Sequence, residues 1–145
     1  CYESTCSNWA PEYNFTISSV VGIEFSVNST NFGTLQPSIN TTTINDTLDT
    51  NPNPLEVNNT GNVAINISVQ ALSDLWNQAA LDTQYFQYAD QDTSSWQNMS
   101  GSYNDFYSIL STSTTRELEI RLEVPSGEGP GSKSSTIQAQ AVGIE

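Results

Sequence analysis

Histidine is absent from this 145-residue chain. Neither a Ser-His-Asp nor a Cys-His set can therefore activate a nucleophile. The remaining oxygen and sulfur chemistry is confined to a few places. Asp90-Gln91-Asp92-Thr93-Ser94 sets oxygen donors at alternate positions, as the start of a calcium loop does, yet it lacks the glycine and closing glutamate of one. A polar turn is the stronger reading there, with weakly held calcium as the alternative. Ser126–Ser134 (SGEGPGSKS) superficially suggests a phosphate loop. Its spacing departs from GxxxxGK and no helix pattern follows, so a turn between strands is expected. Glu117, Glu119 and Glu123 share a phase with Arg121. That is the pattern of a solvated strand face and carries no sign of a glycosidase pair. No enzymatic activity and no resident metal or other cofactor is expected.

Cys1 and Cys6 enclose a four-residue gap, which does not match a metal knuckle. A small disulfide loop is the leading interpretation and suits an oxidising compartment. A lipid-bearing Cys1 is the alternative. Asn-x-Ser/Thr triplets without a central proline begin at Asn14, Asn28, Asn40, Asn45, Asn58, Asn66 and Asn98, more than random placement gives. Asn14 and Asn66 lie on the outward phase of alternating stretches, and Asn40, Asn45 and Asn58 lie in polar turns. N-linked glycans and an extracellular location are expected.

Sixteen acidic residues face three basic ones, for a formal charge of −13. Such a surface repels phosphates, so nucleic acid and anionic lipid are not expected partners. No run approaches the roughly 18–20 apolar residues of a membrane span. The sequence begins at Cys1 without a visible export signal, as expected if one has been removed. The length suits one domain.

The elements that must carry these residues alternate with a period of two. The longest such stretch, Tyr13 to Val27, puts Tyr13, Phe15, Ile17, Ser19, Val21, Ile23, Phe25 and Val27 on one face. Either one strand bends at Gly22 or two strands lie in line. In the second case Tyr13–Val20 can pair elsewhere, including with a neighbouring molecule. Phe32 and Leu35 are candidate core plugs, and Asn40–Asn53 reads as a short edge strand or ordered loop. Leu55-Glu56-Val57 and Val63-Ala64-Ile65-Asn66-Ile67-Ser68-Val69 flank Asn-Asn-Thr-Gly-Asn and read as a hairpin. Ser73 could cap a helical turn through Asp74–Trp76, extended by Ala79–Leu81. Thr83–Tyr88 is strand-like, Asp90–Asn104 is a polar loop, and Phe106–Leu110 restores apolar bulk. Leu118, Ile120, Leu122 and Val124 alternate with Glu117, Glu119, Arg121 and Glu123. Ile137, Ala139 and Ala141 end the series. Seven or eight strands with no long amphipathic helix predict an all-β, two-layer antiparallel sandwich.

The segments NFGTLQPS, NPLEVNNTGNVAINISV and LEVPSGEGPGSKSSTIQAQAV resemble a group of secreted archaeal and bacterial immunoglobulin-like sandwich proteins. The group includes camelysin-type and biofilm-fibre subunits and related pilus subunits. The likeness spans roughly Phe25 to Val142. It implies an immunoglobulin-like domain over residues 21–145, completed by an extended N-terminal strand. It also implies a lead-in and donor strand over residues 1–20, centred on Tyr13, Phe15, Ile17 and Ser19. The implied partner is the chain itself, in a helical homopolymer built by donor-strand exchange. The competing expectation is a monomeric carbohydrate- or calcium-binding module, with Trp76, Trp96, Tyr103 and Tyr107 as its sugar platform.

Overall fold

The computed structural model describes residues 16–44, 52–91, 93 and 95–144. Among the described residues there is no helix and nine strands form: β1 Ile23–Val27, β2 Asn40–Thr42, β3 Leu55–Asn59, β4 Ile65–Ala71, β5 Phe86–Asp90, β6 Gln97–Asn98, β7 Asn104–Leu110, β8 Thr115–Glu123 and β9 Ile137–Gly143. The short β2 and β6 account for the excess over the seven or eight expected. Two antiparallel sheets result. The larger runs β1-β3-β8-β5-β6 with β2 also on β8, and the smaller runs β7-β4-β9.

Alternation decides what lies between them. Leu55 and Val57 of β3, Leu118, Ile120 and Leu122 of β8, and Phe86 and Tyr88 of β5 face Ile65, Ile67 and Val69 of β4, all buried. Each such side chain contributes roughly 1.5–3 kcal/mol by leaving water. At one end the core is sealed by charge. Arg116, on the inward phase of β8, grips both carboxylate oxygens of Asp90 (Nη2 to Oδ2, 2.6 Å). Its guanidinium also lies 4.4 Å from the centre of the Tyr107 ring, a favourable cation–π arrangement.

Three expectations are corrected. First, β3 and β4 are not a hairpin: β3 pairs with β1 and β8, β4 with β7 and β9, and the chain crosses between sheets. Asn59 makes the crossing. It is fully buried, donates to the carbonyls of Val63 (2.9 Å) and Leu110 (3.0 Å), and accepts from the Gly61 N–H (2.9 Å). Second, 73–81 is not helical. The N–H groups of Asn77 and Gln78 both bond the Glu128 carboxylate at 2.9 Å, and Leu81 N–H bonds Asp74 at 2.9 Å. Those donors no longer serve an intrahelical ladder. Third, Glu119 is buried and accepts from the Thr43 hydroxyl. The reason is topological. β8 gives one edge to β3 over Thr115–Leu118 and then to β2 over Arg121–Glu123. Thr43, the residue after β2, still bonds the Ile120 carbonyl through its N–H at 3.0 Å, and its hydroxyl reaches the Glu119 carboxylate.

Candidate functional site: a cleft between the sheets

β9 and β1 flank the two sheets on the same side. Near Gly143 the sheets close: a Cβ there would lie 2.8 Å from Cγ2 of Val21. Toward Ile137 they part. The inward residues of β9 are Ile137, Ala139 and Ala141, and all three stay half-buried while their β4 neighbours are fully buried. At the Ile137 end of β9 lies a cleft of about 900 Å³, lined by Phe25, Phe32, Leu35, Trp76, Leu122 and Ile137 among others. Phe32 and Leu35 pack on the core as expected. Trp76 is buried and fixed by its Nε1–H donating to the Tyr85 carbonyl at 3.0 Å.

The backbone beside the cleft is as informative as its lining. Thr136 O accepts from Leu72 N–H (2.9 Å), and Ile144 N–H donates to Ala64 O (2.8 Å). Even-numbered residues of β9 therefore bond β4. The antiparallel ladder then turns the N–H and C=O groups of Ile137, Ala139, Ala141 and Gly143 away from β4. Among the described residues no strand pairs with β9 on that side.

The 125–135 loop forms one rim and is latched. Glu128 forms an ion pair with Lys133 and also accepts the Asn77 and Gln78 N–H groups. The Lys133 ammonium, opposed by desolvation and helped by the Gln78 and Asn77 N–H groups, holds the carboxyl below its ordinary range. Behind the core, burial and then the Asp105 carboxylate push the Tyr88 phenol up. Its hydroxyl bonds Asp105 O at 3.1 Å.

Of the expected donor residues, Ile17 and Ser19 are exposed, Ile17 at 74%. Tyr13 and Phe15 lie outside the described residues. Residues 16–22 are not in a strand, and β1 begins only at Ile23. The segment is nevertheless anchored at one end. Ser18 O accepts from Asn62 Nδ2 (3.0 Å) and Gly22 O from Thr60 N–H (3.1 Å).

Asn28, Asn40, Asn66 and Asn98 are exposed and Asn58 is half-buried. Asn14, Asn45, Cys1 and Cys6 lie outside the described residues, as do Asp92 and Ser94. Asp90 is committed to Arg116. Among the described residues no cluster of metal-ligating side chains forms, and no helix is long and apolar enough to cross a membrane. The expected sugar platform is dispersed: Trp76 lines the cleft, Trp96 sits under Arg121, and Tyr107 lies under Arg116. Sequence reading missed Asn59, Asn62 and Glu128, each of which acts on residues far away or on backbone. Compared with protein-family models, with curated proteins and with solved structures, the chain matches none.

Proposed function

We propose that this protein is a structural subunit of an extracellular, glycosylated filament. Its sandwich is immunoglobulin-like and incomplete at β9. The N-terminal segment of one copy lies along β9 of the next and fills the cleft. One observation carries the reading: an apolar-walled cleft opens at the Ile137 end of β9, the strand that turns a row of backbone groups away from β4. An added strand satisfies such a row and fills such a cleft together. The exposure of Ile17 outside its own chain's cleft supports the same reading. Burying Phe15, Ile17 and Tyr13 contributes roughly 5–8 kcal/mol before ordering costs. The contact is heterologous, so repetition builds a filament unless the rotation closes a ring.

Truncation tests it. Removing residues 1–17 keeps the anchors at Ser18 and Gly22 and should leave a folded monomer that no longer assembles. A Tyr13–Val20 peptide should bind that monomer. A truncated protein that unfolds and is not rescued by the peptide assigns the segment to its own sandwich. Native material that is monomeric by electron microscopy ends the filament reading altogether.

A further inference from the structure

Asn66 stands on the outer face of the smaller sheet, in the middle of a short row. Val142 of β9 is its register partner. On its other side the Ile109 N–H of β7 donates to Asn66 Oδ1 at 3.0 Å. Both flanking side chains are far out in solvent, Val142 at 60% and Ile109 at 65% exposure. Ile109 is also held at φ 62°, a conformation that strains a β-branched residue. The strained backbone is held by its N–H bond to Asn66, and the side chain it presents lies beside that residue in solvent. The surrounding face offers little charge: Ser68, Gln70, Gln138 and Gln140 accompany the one carboxylate of Asp105.

We propose that Asn66 carries an N-linked glycan whose first sugar lies over Ile109 and Val142. A backbone N–H can be met only by the carboxamide oxygen, so the Ile109 contact fixes the amide and assigns Nδ2 to the opposite branch. Two other triplets differ. Asn58 Nδ2 donates to Glu24 at 3.2 Å, and Asn98 Nδ2 donates to Asp82 O at 3.0 Å. At Asn66 the weakly polar faces of a pyranose ring meet two aliphatic side chains that have no other cover among the described residues. Attachment replaces one Nδ2–H with an Nδ2–C1 bond. The C1–O bond of a lipid-phosphate-linked oligosaccharide breaks, the phosphate leaves with the electron pair, and a base takes the amide proton.

Glycopeptide mass spectrometry of the protein secreted by its native host should find Asn66 occupied in most molecules; a bare Asn66 overturns the proposal. In occupied material, NOEs should join the first sugar to the Ile109 and Val142 methyl groups, and their absence overturns the platform. Ile109→Gly relieves the strain and removes half the platform. It should raise the Tm of sugar-free protein by about 2–4 °C and lower that of glycosylated protein. The same sign in both overturns the proposal. The inference stands apart from strand donation. Filaments with a bare Asn66 defeat this proposal alone, and an occupied Asn66 without filaments defeats strand donation alone.

Discussion

Asn62 holds Val20 from two directions: its side-chain Oδ1 accepts the Val20 N–H at 2.7 Å, and its own N–H donates to the Val20 carbonyl at 3.0 Å. This pair fixes where the N-terminal segment leaves the sandwich. Gly61 makes the approach possible, since a side chain there would run into the Val20 carbonyl. Asn62→Ala should lower stability by about 1 kcal/mol, read by urea denaturation. Its larger effect should be faster amide exchange at Val20. Gly61→Val should do more damage than Asn62→Ala, and equal effects would count against the close approach.

Asn59 is the most exacting polar residue of the crossing between sheets. Asn59→Ala leaves the Val63 and Leu110 carbonyls without their donor and should destabilise the fold by about 2–4 kcal/mol. A midpoint shift below one tenth of the wild-type value in guanidinium would refute that role.

The loop at the rim of the cleft should respond to acid. Folding lowers the Glu128 pKa below its ordinary value of 4.5. The contribution of its latch is thus fully present above that value and lost as pH falls through the lower, folded one. Amide exchange at Asn77 and Gln78 should accelerate below that range. Glu128→Gln should accelerate it at neutral pH too, with the global Tm nearly unchanged. Protection that stays flat across the acid range would remove Glu128 from this role.

Arg116→Ala strips Asp90 of its bidentate partner and uncovers Tyr107. The loss should be about 1.5–3 kcal/mol, only weakly reduced by added salt because the pair is three-quarters buried. A loss that vanishes in 1 M salt, where screening reaches within about 3 Å, would mark a surface pair instead.

Within the cleft, Leu35→Glu places a carboxylate among apolar walls without touching a strand. The truncated monomer should keep its fold by circular dichroism yet lose the Tyr13–Val20 peptide at least tenfold. Phe15→Asp with Ile17→Asp should abolish assembly from the donor side. Filaments of normal length from that double variant would contradict strand donation.

The alternation in Leu118, Ile120 and Leu122 made β8 legible in the sequence, because facing the core is a local property with a fixed period. The same rule placed Glu119 in solvent and failed there. Its burial involves Thr43, the residue just after β2 and 76 residues earlier in the chain. Asn-Asn-Thr-Gly-Asn fits a hairpin turn as well as a crossing between sheets. Only the distant Leu110 carbonyl, bonded by Asn59, distinguishes them. Ser73 and Asp74 carried a helix-start signal, which Glu128 overrides across 50 and 51 residues of chain by taking the Gln78 and Asn77 N–H groups. The cleft was half legible. Its lining residues, Phe32 and Leu35, were picked out as apolar plugs, but the space they share with Trp76, Leu122 and Ile137 arises only when distant segments meet. Nothing local in the sequence announces a space.

The outward-turned edge of β9 has a consequence for the life of the newly made chain. Ile-Gln-Ala-Gln-Ala-Val-Gly holds neither a charge nor a proline, the usual safeguards against promiscuous strand capture. Under the strand-donation proposal, any extended peptide passing by competes for that edge until the donor segment takes it. Concentrated recombinant stocks should then age into disordered β-rich aggregates seeded there.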